Sequence, residues 1–135
     1  VTSVVQLIRS DSLSTVAEYA YAATAPASAR LVFLAGACPL DEHGTTVAVG
    51  DVRGQAARCV ENLRVALADA GAALDDLVQT RVLVASSHQA DLVAAWEVVR
   101  TAMGDHDVPS TLLGVTVLGY DDQLVEIEGI AAVAE

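Results

Sequence analysis

Asp51-Val52-Arg53-Gly54-Gln55-Ala56-Ala57-Arg58-Cys59-Val60-Glu61-Asn62-Leu63-Arg64-Val65-Ala66-Leu67-Ala68-Asp69-Ala70-Gly71 is the stretch from which the fold is read. An aspartate can accept hydrogen bonds from the free N–H groups of a first helical turn, and glycine is the residue that most often ends a helix. The spacing therefore predicts a helix from about Val52 to Ala70, capped by Asp51 and stopped at Gly71. Val52, Ala56, Val60, Leu63, Leu67 and Ala70 recur at helical spacing and form one stripe, with Arg53, Arg58, Glu61, Arg64 and Asp69 mostly off it. A helix with one apolar stripe needs an apolar surface to lie on.

Working outward, a second helix is expected to begin near Ser86 or Ser87, with Ser86 and Gln89 forming a capping box. Leu92, Trp96, Val99 and Met103 would be its buried stripe, and Gly104 its end. Strands supply the surface. Leu31 to Ala35 is a continuous apolar run, and Val78 to Val84 alternates, with Val78, Thr80, Val82 and Val84 on one face and Gln79, Arg81 and Leu83 on the other. Thr111 to Leu118 and Leu124 to Val133 are two more, expected to form a hairpin across Gly119-Tyr120-Asp121-Asp122. A weaker pair lies around Val4 to Ile8 and Glu18 to Ala23, and Asp41-Glu42-His43-Gly44 reads as a turn before Thr46 to Val49. Two helices on one face of a mixed sheet is an α+β arrangement, expected as a single domain over residues 1–135. The other face would stay bare, with Leu83, Leu112 and Leu118 as its apolar candidates, so a homo-oligomer that buries it is expected.

Composition narrows the function. The chain has 135 residues, 53% of them apolar and 19% charged, enough to bury one core. Eighteen acids against seven bases give a formal charge of −11, which disfavours nucleic acid and anionic membranes as partners. All seven bases are arginines, and the absence of lysine excludes Schiff-base chemistry on a lysine amine and the P-loop signature. A GC-rich genome would give the same bias. Two cysteines are too few for a disulfide scaffold and are expected to be free thiols. No apolar run reaches the roughly 18 residues of a membrane span, and the start lacks the order of a signal peptide, so a soluble cytoplasmic protein is expected.

Few residues look reactive. His43, His88 and His106 lack the spacing of a metal site, and Asp105-His106-Asp107 reads as a solvated loop, so no metal is expected. Cys38, after the buried run, reads as a structural thiol, and Cys59 as packing. Neither Gly-x-Ser-x-Gly nor Gly-x-Gly-x-x-Gly occurs. Glu126 and Glu128 are more informative: they alternate with Val125, Ile127 and Gly129, so both point to one face of a strand. One of them is expected to meet solvent, and the other is a site candidate because a carboxylate on a central strand is uncommon.

Taken together, Leu34-Ala35-Gly36-Ala37-Cys38-Pro39-Leu40, the helix bearing Gln55 and Asn62-Leu63, the strand Val82-Leu83-Val84, Pro109-Ser110-Thr111 and Leu124-Val125-Glu126-Ile127-Glu128-Gly129-Ile130-Ala131 resemble the RidA-type reactive-intermediate deaminase family. The resemblance runs from about Val16 to Ala134. It implies a chorismate-mutase-like α+β fold, a homotrimer whose sheets form a central barrel, clefts between neighbouring subunits, and hydrolysis of enamines and imines without metal or cofactor. It places Glu126 at the strand glutamate that positions the attacking water, Tyr19 at the tyrosine lining the cleft, and Gly36 at the glycine beside the site. Ala35 stands where the family has a serine, Val93 where it has an asparagine on the second helix, and Thr111 where it has the arginine that clamps the substrate carboxylate.

An arginine fork gives a carboxylate two charge-assisted bonds of roughly 1.5–3 kcal/mol each, whereas Thr111 offers one neutral hydroxyl. Small 2-imino acids are therefore poor candidate substrates unless Arg81 shares the cleft face. Two functions are weighed on this basis. One is a RidA-like hydrolase of altered specificity that uses Glu126, with backbone groups near Gly36 and Cys38 holding the polar end of a small-molecule ligand. The other is a non-catalytic trimer that binds a metabolite or a protein in the same cleft.

Overall fold

The structure, a computed structural model, describes residues 2–135. Its strands and helices follow in the order β1 (Gln6–Ile8), β2 (Ala22–Thr24), β3 (Arg30–Phe33), α1 (Val52–Asp69), β4 (Leu77–Val84), α2 (Gln89–Met103), β5 (Ser110–Gly114) and β6 (Val125–Val133), with a 3₁₀ turn at Leu74–Asp76 ahead of β4. Strands β3, β6, β4 and β5 form one mixed sheet in that order, and β1 and β2 pair separately as a ribbon. Strand β6 is antiparallel to both β3 and β4, and β4 is parallel to β5. The ribbon is tied to the loop after α2 by the Ala20 N–H donating to the Asp107 carbonyl and by Arg9 paired with the Asp107 carboxylate at 2.9 Å.

Helix α1 forms as its sequence dictates. Asp51 accepts from the Gly54 N–H at 2.9 Å, and Gly71 takes a φ of +80°, a conformation in which most side chains would be strained. Ala56, Val60, Leu63 and Leu67 are buried against the sheet. Fully burying a leucine contributes about 1.5–3 kcal/mol, so Leu63 and Leu67 alone give this helix reason to dock. From α2 come Ala95, Val99 and Met103, with Leu92 and Trp96 partly buried at the margin. Val32, Val82, Val84, Val125, Ile127 and Ala131 complete the core from the sheet.

Four local expectations are corrected. Helix α2 starts later than expected, with His88 as its cap and no side-chain capping bond. Ser86 instead donates to the Asp91 carboxylate at 2.6 Å and accepts from the His88 N–H, so the predicted capping box does not form. The Gly119–Asp122 segment does not join a hairpin, because β4 lies between β5 and β6. The register of β4 shifts between Leu77 and Gln79, so Leu77 takes the buried place predicted for Val78. Leu112 pairs in register with Val82 and packs on the core, leaving Leu113, beside Leu83, on the open face. That open face also carries Leu31 and Phe33, the latter 72% exposed.

Candidate active site

The sheet gives Glu126 its position. Ala37 and Ile127 exchange backbone hydrogen bonds at 2.7 and 3.0 Å, so the chain beyond β3 stays beside β6 after a break at Ala35-Gly36. Glu126 points to the open face between buried Val125 and Ile127, as the alternation predicts. Gly36 makes room for it: a Cβ at this position would lie 2.5 Å from Glu126 Oε2. The carboxylate Oε1 accepts from the Cys38 thiol at 3.1 Å and from Gln123 Nε2 at 3.2 Å.

Cys38 is therefore more than the structural thiol its sequence context suggests. Burial pushes it up to about 11, the bond to Glu126 and the charge of that carboxylate add to the rise, and Gln123 opposes it. It stays a protonated donor at neutral pH. Its main chain is fixed by Asn62, whose Nδ2 donates to the carbonyls of Cys38 and Leu40 at 2.8 and 2.9 Å. Gln55, fully buried in α1, donates to the Asp122 carbonyl and accepts from the Leu124 N–H at 2.7 Å, which docks the segment carrying Gln123 against the helix. Cys59 is buried, with its thiol on the Val125 carbonyl, and both cysteines are free.

The remaining candidates lie elsewhere. Tyr19 and Thr111 line a cavity of about 440 Å³ with Trp96, Ser110 and Leu112. Tyr19 packs edge-on against Trp96 and Tyr21 with ring centroids 6.1 and 5.9 Å apart, so three of the chain's five aromatic residues gather at this edge of the sheet. Ala35, Gly36 and Cys38 line a separate cleft of about 500 Å³ toward α1. Val93 is exposed on α2 and lines neither, and Glu126 lines neither. Within one chain the predicted residues thus form two groups, not one site.

Arg81 is on the open face. It is in register with Thr111 on one side and Glu128 on the other, and its Nε lies 3.6 Å from the Glu128 carboxylate. Glu126 and Glu128 are both half-buried, and what separates them is their partners, Cys38 and Gln123 for the first and Arg81 for the second. His43 is exposed beside Glu42, but His106 is not simply solvated: its Nε2 donates to the Leu77 carbonyl at 2.8 Å. Among the described residues no group of three or more His, Cys, Asp or Glu side chains could hold a metal ion, and no helix is long and apolar enough to cross a membrane.

Sequence reasoning missed Gln123 as a site residue, because a polar residue before a strand reads as loop. Gln55 and Asn62 entered it only as parts of the resemblance. A stronger signal for them was present, since each is a polar side chain on or beside the apolar stripe of an otherwise well-patterned helix.

The two helices on one face of a mixed sheet, with a carboxylate on its central strand facing the other side, define an α+β protein of the Rid type in fold. A family model described as Endoribonuclease L-PSP matches residues 10–133, and the chain belongs to that family. A RutC family protein of Pyrococcus abyssi is 31% identical over 100 residues, covering 74% of this chain and 76% of that one. Among solved structures, a Yersinia pestis protein of the conserved Rid family, of unknown function, is similar with a TM-score of 0.86 at 24% identity over 96% of this chain and 99% of that one. A Mycobacterium tuberculosis member of the YjgF/YER057c/UK114 family gives a TM-score of 0.65 at 27% identity over 96% and 99% of the two chains. RidA from a Psychrobacter species gives 0.68 at 23% identity over 95% and 99%.

Proposed function

We propose that this chain is a cofactor-independent enamine or imine hydrolase that works in clefts completed by a second copy of the chain, in a homotrimer, on substrates other than small 2-imino acids. The observation that carries the reading is Glu126: a half-buried carboxylate on a central strand, with one oxygen held by two donors and the other left beside a glycine. In the proposed reaction Glu126 Oε2 takes a proton from water as the water oxygen bonds to the imine carbon. The π pair of the C=N bond moves to nitrogen, which takes the proton back from Glu126. Glu126 then carries the proton of the new hydroxyl to nitrogen as the C–N bond breaks, so that ammonia leaves with that bonding pair and the oxygen closes a C=O bond. Imine and water are consumed, and carbonyl compound and ammonia are produced.

The separation of the candidate residues supports a shared cleft, with Gly36, Cys38 and Glu126 from one copy and Tyr19 and Thr111 from its neighbour. The exposed apolar residues Leu31 and Phe33 support burial of the open face by association. The missing clamp supports altered specificity. Thr111 carries no charge, and Arg81, although it shares the open face, is already paired with Glu128. A substrate carboxylate would have to compete with Glu128 for that guanidinium. The family's endoribonuclease label is disfavoured for this chain by its charge of −11, which repels a polyanion.

The test compares two substrates. 2-Aminoacrylate or 2-iminobutanoate is generated in situ by a PLP-dependent dehydratase, and a neutral imine by an amine oxidase, with carbonyl product followed in each. Acceleration of the neutral imine, lost in Glu126→Gln, is the expected result. If neither is accelerated and Glu126→Gln equals the unaltered chain, the hydrolase reading is wrong. The non-catalytic binding reading, favoured by the same lack of a free cation near Thr111, then takes its place.

A further inference from the structure

We propose that Cys38 and Gln123 are positioning residues for Glu126: together they occupy Oε1, so that Oε2 alone is presented as the proton acceptor. The inference rests on the hydrolase reading for its consequence in turnover, but not for the geometry. Two donors converge on Oε1, the Cys38 thiol at 3.1 Å and Gln123 Nε2 at 3.2 Å, and among the described residues no protein donor reaches Oε2. Both donors are themselves held. Gln123 is 4% exposed, its Oε1 accepts from the Tyr120 N–H at 3.1 Å, and its Nε2 also donates to the Val125 carbonyl at 3.1 Å. Cys38 is held by Asn62 and by the pairing of its neighbour Ala37 with Ile127.

The chemistry follows from the fixed donors. A proton placed on Oε1 would point at an N–H or S–H already directed there, so a protonated Glu126 carries its hydrogen on Oε2. The carboxylate then accepts and returns a proton through one atom in one place, which is what a positioned acid–base group requires. Gly36 is the complement of this arrangement. It leaves Oε2 the space that any side chain at position 36 would take. A thiol suits the donor position because burial and the adjacent charge keep it protonated at neutral pH.

Two measurements test this, and one of them needs no activity. The first is the rate at which iodoacetamide alkylates Cys38 at pH 8, read by mass spectrometry of the peptide, since buried Cys59 is shielded. Removing the charge by Glu126→Gln should speed alkylation on the order of tenfold, because the thiolate fraction rises. An unchanged rate overturns the contact. The second is steady-state turnover of the neutral imine. Cys38→Ala should lower kcat by about tenfold with little change in KM, Cys38→Ser, which keeps a donor, should restore most of it, and Gln123→Met should behave like Cys38→Ala. Equal kcat in Cys38→Ala and the unaltered chain overturns the positioning role. If alkylation responds as expected while the unaltered chain hydrolyses no imine, the contact stands and the hydrolase reading is what fails.

Discussion

Gly36→Ala tests the site with one methyl group. The φ of Gly36 is not among the positive values of Gly44, Gly50, Gly71 and Gly104, so alanine meets no left-handed backbone there. The three atoms nearest the new Cβ all belong to Glu126, whose Oε2, Cδ and Cγ would lie 2.5, 2.7 and 3.0 Å away, where ordinary contact begins at 3.4 Å. The carboxylate must retreat by about 1 Å, and a misplacement of that size costs on the order of 100-fold in turnover. The fold should survive. The displaced atoms end a flexible, half-exposed side chain, and Gln123 Nε2 keeps its bond to the Val125 carbonyl, so no buried donor is orphaned. Losing the contacts at Oε1 costs about 1–3 kcal/mol, which for a chain of this size lowers Tm by roughly 3–10 °C. The assay is neutral-imine hydrolysis alongside a thermal melt. In a Glu126→Gln background the alanine should have no further effect on turnover, because both changes act through the same atom. A folded Gly36→Ala chain with undiminished kcat would refute the role given to Oε2.

Thr111→Arg should create or raise hydrolysis of 2-iminobutanoate, measured as keto-acid formation. No gain in a folded variant would mean that Ala35 and Val93 also limit the site. Gln55→Leu should destabilise by about 2–4 kcal/mol in urea unfolding, since it strips the Leu124 N–H and the Asp122 carbonyl of their buried partner. Alkali should weaken the fold. Cys38 is raised to about 11, so its contribution is fully present below the unfolded value of 9.0 and is lost as pH climbs from there through 11, with Cys59 shifted in the same direction. Urea midpoints between pH 8 and 10.5 should fall less steeply in Cys38→Ser.

Much of this architecture could be read from residues alone because its causes are local. Asp51, Gly71 and the stripe through Leu63 and Leu67 fix α1, and the alternation of Val125, Glu126 and Ile127 fixes which side chains of β6 face the helices. The order of the strands is a non-local fact. Gly119-Tyr120-Asp121-Asp122 has the composition of a hairpin turn, yet β5 pairs in parallel with β4, a partner about thirty residues back in the chain. The β4 bulge is similar, since Leu77 displaces Val78 only because β6 offers it a place against Gly129. Glu126 was legible as a candidate because burial of an acid leaves a mark in the pattern. Its partners were not, because the sequence separation of 88 between Cys38 and Glu126 is bridged only by the fold.

The division of the candidate residues also yields an assay that depends on how the copies are arranged. Glu126→Gln would abolish chemistry in one group, and Thr111→Trp would fill the 440 Å³ cavity of the other. Each variant alone should be inactive, and Glu126 does not line the cavity that Thr111 lines within one chain. If each cleft takes one group from each of two neighbours, co-refolding equal amounts of the two variants gives random mixed rings. In these, about one cleft in four combines two unaltered groups, and activity should return to about a quarter of the unaltered level. If a cleft draws both groups from one chain, every copy in the mixture carries a defect in its own cleft and no activity returns. Recovery after co-refolding, but not after simple mixing of assembled variants, would show that the carboxylate on β6 and the aromatic cavity beside β5 meet only across an interface.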